Sequence, residues 1–189
     1  LLELQGTIAF REGDLQRSVA VFERLPNDFW TDESMVDVDI FADAAHFPFD
    51  TTPSARGAKT EVVRRMLALE AESKKATGAR LSEIYYQLGN AWFNCSYWGR
   101  SWYMFSYARN HNDDDRPEIR DAGNFPATPD TKRYGGTYFR FDRALAWYRQ
   151  ALASNPPKEL AAKIEYMIAD CDRYVRIMRG GNESFYGWH

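Results

Sequence analysis

YYQLGNAWFN, residues 85–94, places Tyr85, Leu88 and Trp92 on one side of a helix, with Gly89 set among them. A residue without a side chain between large apolar neighbours marks a close crossing, where a bulky group from a second helix fills the space. The pattern continues through Ser101, Phe105 and Ala108, so residues 81–110 read as a helical hairpin that turns near Ser96 to Gly99. Its interior is almost wholly aromatic. Tyr86, Asn90, Phe93 and Asn94 follow one another along the adjoining face of the first helix.

Working outward, residues 1–25 carry Leu1, Leu4 and Ile8, then Leu15, Val19 and Phe22, at helical intervals, with Gly13-Asp14 between them as stop and N-cap. That spacing predicts another hairpin. Residues 58–76 set Val62, Val63, Met66, Leu67 and Leu69 against Glu61, Arg64, Arg65, Glu72 and Lys74, which predicts a helix exposed on one face. Residues 138–154 and 158–179 predict two further helices, divided by Asn155-Pro156-Pro157 and closed by Gly180-Gly181. Two stretches differ in kind. Residues 27–57 form an acidic connection with no Lys or Arg before Arg56, and a short helix is predicted over 34–44. Residues 111–136, with Asn112-Asp113-Asp114-Asp115, Pro117, Pro126, Pro129 and Gly135-Gly136, read as a loop insertion. No stretch reads as a convincing strand. The expected fold is all-α, a single domain of about seven helices with two long loops.

Composition narrows the function more by exclusion than by indication. The chain has 189 residues and 24 Lys plus Arg against 27 Asp plus Glu, and a net charge of −3 offers no footprint for nucleic acid or an anionic membrane. No apolar run approaches the roughly 18 residues of a membrane helix. The opening Leu1-Leu2-Glu3-Leu4 has no initiator Met and already lies inside an amphipathic pattern, so it reads as the start of a piece of a longer chain or of a processed one. Cys95 and Cys171 are too far apart in sequence for a CxxC motif and are either two buried thiols or one long-range disulfide. Aromatic residues are 15% of the chain, a share that builds cores, interfaces or sugar-stacking platforms, and the core reading takes most of them.

The spacing Tyr85-x2-Leu88-Gly89-x2-Trp92, then Ser101, Phe105 and Ala108, resembles the tetratricopeptide repeat family. Ala144, Tyr148, Ala151 and Pro156 in ALAWYRQALASNP match the second-helix half of that pattern, and Leu2, Gly6, Ser18 and Phe22 match it in the first segment. Together these motifs cover roughly half of the chain. Gly6 and Gly89 are not a whole number of repeats apart, the third segment lacks a first helix of its own, and 158–179 looks like a first helix without a partner. The resemblance therefore implies an irregular helical-hairpin solenoid. A fainter similarity, to large uncharacterised repeat proteins of bacterial envelopes, favours the periplasm or cell envelope over the cytoplasm.

No motif for nucleophilic or metal-assisted catalysis is present, and the Asp residues of the two loops are the acids that a glycan-processing reading would use. His46, His111 and His189 are isolated, no HExxH or His/Cys cluster is present, and no GxSxG, GxxxxGK[ST] or GxGxxG motif occurs, so no metal, cofactor or nucleophile is expected. Asp37, Asp39 and Asp43, like 112–115, read as solvated acidic loops rather than calcium ligands. In the resembled family the face of Tyr86, Asn90, Phe93 and Asn94 lines a groove, and an Asn at the place of Asn90 bonds the backbone of a bound peptide. Thr7, Phe10 and Arg11 hold the equivalent face of the first hairpin. The family's several-lysine clamp is not reproduced, which argues against capture of a C-terminal carboxylate. These residues point to a non-enzymatic interaction or scaffold module that docks a protein or peptide within a larger assembly. The alternatives are a carbohydrate-binding or glycan-processing helical protein that uses exposed Trp and Tyr, and a structural segment of a longer solenoid.

Overall fold

The computed structural model describes residues 1–31, 36–42, 56–105 and 136–178. Among them the chain is mostly helical: α1 (Leu2–Glu12), α2 (Leu15–Phe22), α3 (Lys59–Ser73), α4 (Gly78–Asn94), α5 (Asp142–Ala153) and α6 (Lys158–Met178). Single 3-10 turns lie at Asn27–Phe29 and Trp102–Met104. Strand among the described residues is confined to an antiparallel pair, β1 (Val36–Asp37) and β2 (Arg56–Gly57), with Val36 opposite Gly57. Each of these six helices packs on the next of them in chain order.

The first hairpin follows its sequence closely. Gly13, at φ +81°, takes the left-handed conformation that ends α1, and the Asp14 carboxylate accepts the Arg17 N–H at 3.0 Å to start α2. The Phe22 ring lies over Gly6, where a Cβ atom would collide with it, and Ser18 Oγ donates to the Gly6 carbonyl at 2.9 Å. Small residues thus let α1 and α2 approach, and one aromatic side chain fills the gap.

The central hairpin differs from expectation. After α4 the chain does not form a second α-helix over the described residues to 105; it turns through 95–101 into the Trp102–Met104 3-10 turn, and 106–110 lie outside the described residues. The turn doubles back on itself. The Ser101 N–H donates to the Asn94 carbonyl at 2.8 Å, Gly99 lies where any Cβ would strike the Asn94 backbone, and the Tyr97 N–H donates to the Tyr138 carbonyl at 3.0 Å. The antiparallel partner of α4 is instead α5. Tyr148 lies over Gly89, where a Cβ would fall 2.5 Å from two of its ring carbons, and Ala144 and Ala151 are fully buried beside it. Two half-patterns read from sequence as separate segments are therefore the two sides of one helix pair.

The short helix expected over 34–44 is also corrected where it is described. Residues 36–37 form β1, and the Asp37 carboxylate accepts the Asp39 N–H at 2.8 Å before a turn closed by Ala42 N–H to Asp39 carbonyl, 3.2 Å. Side-chain-to-backbone bonds of this kind compete with the helical ladder. The rest of the acidic connection, 32–35 and 43–55, and residues 111–135 of the loop insertion lie outside the described residues. α3 ends at Ser73, and Gly78 starts α4.

As expected, the core is aromatic. Phe10 stacks on Trp92 at 4.9 Å, Phe105 on Tyr138 at 5.0 Å, Trp98 on Tyr174 at 4.8 Å and Phe93 on Phe141 at 5.3 Å. Phe141 has φ +59°, a strained conformation for a residue with a Cβ, and its fully buried ring packed against Phe93 and Tyr174 holds it there. Arg143 joins the two hairpins. It donates to the Phe10 and Arg11 carbonyls at the end of α1, and its guanidinium sits 4.5 Å over Trp92.

Cys95 and Cys171 are free thiols, both buried, and burial pushes both pKa values up. Folded protein is therefore expected not to react with Ellman's reagent, whereas protein in denaturant should titrate two thiols. Reaction of either thiol in the folded state would show that the stretch carrying it is packed differently.

Candidate functional site

On the face of α4 that carries Tyr86, Asn90, Phe93 and Asn94, the two asparagines meet another stretch of the same chain, residues 36–42. Asn90 and Asn94 lie one helical turn apart, so their carboxamides project in the same direction. Asn94 Nδ2 donates to the Ile40 carbonyl at 3.0 Å, and Asn90 Nδ2 donates to the Phe41 carbonyl at 3.3 Å. The carbonyl oxygen of Asn90 in turn accepts the Tyr148 hydroxyl at 2.8 Å, which fixes the amide with its N–H groups toward the segment. Ser101 Oγ adds a third bond, to the Asp37 carbonyl, at 2.9 Å. Three side chains thus hold three main-chain carbonyls.

Two cations recognise the side chains of the segment. The Arg65 guanidinium, from α3, lies 4.2 Å from the Phe41 ring centroid. Arg100 Nε lies 3.3 Å from Asp37 Oδ2, yet that oxygen is buried and receives no well-aligned hydrogen bond. Ile40 and Phe41 are buried between these groups, and Asp37 is only 6% exposed. The expectation of a solvated Asp37 is therefore corrected, because β1 draws it into the interior; Asp39 is exposed as expected.

Tyr86, Asn90, Phe93 and Asn94 were expected on an open face, and all four are buried. The reason is local. Residues 36–42 cover the two amides, Phe93 packs on Phe141, and Tyr86 packs near Tyr148 at 5.9 Å. Thr7, Phe10 and Arg11 do not form an open face either. Thr7 Oγ1 donates to Glu3 and accepts from Lys59 Nζ at 3.2 Å, Phe10 stacks on Trp92, and Arg11 Nε donates to the Phe105 carbonyl at 2.6 Å. These three are separate from the amide pair in the bonds they make.

Sequence reasoning missed Ser101 as a donor to the segment, because the pattern placed it at a helix crossing. It missed Arg65, which reads as an ordinary surface charge on the polar face of residues 58–76, and Arg100, which stands in no motif. It also missed the Lys59–Glu3 ion pair, 2.6 Å long and almost out of solvent, in which burial lowers the lysine pKa while Glu3 raises it. Among the described residues no group of three or more His, Cys, Asp or Glu side chains could hold a metal ion, and no helix is long and apolar enough to cross a membrane. His46, His111 and His189 lie outside the described residues.

Comparison with protein-family models, with curated proteins and with solved structures returns no match for this chain.

Proposed function

We infer that the chain is a non-enzymatic interaction module of a larger assembly, an irregular tetratricopeptide-like stack that docks a polypeptide on the face of α4. The observation that carries this reading is the amide pair: Asn90 and Asn94 donate to consecutive main-chain carbonyls, a mode of recognition that any polypeptide can satisfy. The repeat-like character has its own support. Gly6 under Phe22 in α1/α2 and Gly89 under Tyr148 in α4/α5 are the same small-on-large contact at corresponding places in the two pairs, although residues 95–141 separate the helices of the second in sequence.

The test is a selection of twelve-residue peptides from a random display library against the immobilised chain, followed by titration of the best binder. Replacing Asn90 and Asn94 together with Ala should weaken that peptide on the order of 10- to 100-fold, since each lost bond contributes about 0.5–1.5 kcal/mol. Helicity by circular dichroism should be retained. Undiminished binding by the folded double variant would move docking to another surface, and saturable binding of oligosaccharides in place of peptides would favour the carbohydrate alternative.

A further inference from the structure

The amides of α4 are not empty; they hold the chain's own residues 36–42. We propose that this segment is a resident occupant of the docking face, displaced when a partner binds, and that the partner supplies a segment of like chemistry. That chemistry is an acidic residue followed three and four positions later by a bulky aliphatic and an aromatic residue, as in Asp37, Ile40 and Phe41. The inference rests on the docking reading above and adds how that site is regulated and what it selects.

Three features of the contact support it. First, the hydrogen bonds from Asn90, Asn94 and Ser101 all go to main-chain carbonyls, so they are available unchanged to a replacing chain. Second, selectivity comes from two cations: Arg65 over the aromatic ring and Arg100 beside the carboxylate. Third, the resident fits imperfectly. A buried carboxylate oxygen of Asp37 without a hydrogen bond carries a desolvation cost, and a partner whose acidic side chain met Arg100 squarely would avoid it. The segment itself has little regular structure of its own, a two-residue ladder to β2 followed by a turn. A tethered occupant competes at high effective concentration, so the face is masked until the segment leaves.

The test uses the full chain and a fluorescein-labelled peptide with the sequence of residues 36–42, Val-Asp-Val-Asp-Ile-Phe-Ala. A variant carrying Ile40→Ser and Phe41→Ser removes the apolar anchors of the resident while leaving Asn90, Asn94, Arg65 and Arg100 in place. This variant should bind the labelled peptide at least about tenfold more tightly than the unaltered chain, as removal of an intramolecular competitor requires. The gain should vanish when Asn90→Ala and Asn94→Ala are added, and a peptide with Ser in place of Ile and Phe should not bind. If the Ser variant unfolds, supplying the unlabelled peptide should restore its helicity, because the missing contacts are then provided in trans. A folded Ser variant that does not bind the peptide, or an unfolded one that the peptide does not restore, overturns the proposal. A library-selected peptide bound equally by the unaltered chain and the Ser variant, through Asn90 and Asn94, overturns the resident competitor and leaves the docking module standing. Absence of any peptide binding to either folded protein overturns both.

Discussion

Replacing Gly89 with leucine is expected to lower the stability of the folded chain by about 3 kcal/mol or more, the upper end of what added side-chain volume costs in a packed interior. The first added carbon already meets the Tyr148 ring at 2.5 Å. That ring has little room to retreat: it is fully buried, packs near Tyr86, and its hydroxyl is held by Asn90. Urea unfolding followed by circular dichroism measures the effect. Tyr148→Ala alone should cost about 3–5 kcal/mol through the cavity it leaves. The pair of changes should be markedly less harmful than the sum, because each relieves the fault of the other. An unchanged urea midpoint for Gly89→Leu would mean that Gly89 does not face Tyr148, and additive losses would mean that the two do not share a crossing.

Replacing Glu3 with alanine is expected to be comparably damaging, at about 3–5 kcal/mol, because it leaves the Lys59 ammonium buried with Thr7 but without its carboxylate. This pair ties the start of α3 to α1, so the loss should spread to both helices. Substituting both partners with apolar residues, Glu3→Leu with Lys59→Met, should recover most of it, since neither charge of the pair is then left buried. The pH dependence has a defined sign. Burial lowers the folded pKa of Lys59 below its ordinary 10.5, and removing Glu3 lowers it further, so the unfolded state of the variant binds more protons across the window below 10.5. Stability of the Glu3→Ala chain relative to the unaltered chain should therefore recover as pH rises from neutrality toward that value. A deficit that is flat with pH, or a single variant no worse than the double, would place Lys59 in contact with water.

Much of the helical framework was legible in the sequence because its determinants are local. The Gly13-Asp14 cap, the apolar stripe of α3 and the Asn155-Pro156-Pro157 break act within a turn or two of chain, and the structure places helix ends within a few residues of where they predict them. Even the significance of Gly89 could be read, since a glycine among large apolar residues needs a bulky neighbour whatever its source. Which neighbour it receives is a different matter. Phe105 stands at the right sequence distance, but Tyr148 takes the place, because the chain turns back at Gly99 and Ser101 and brings α5 rather than a continuing helix against α4. The candidate site divides in the same way. Periodicity alone put Asn90 and Asn94 on one face of a helix, and that is local geometry. Their burial under residues 36–42, the approach of Ser101, Arg65 and Arg100, and the pairing of Glu3 with Lys59 join positions 24 to 64 residues apart in sequence. No spacing rule reaches that far in an acidic stretch where the pair Ile40-Phe41 carries no period of its own; only the packing of α3 and α4 around it decides that this piece of chain is held rather than left in solvent.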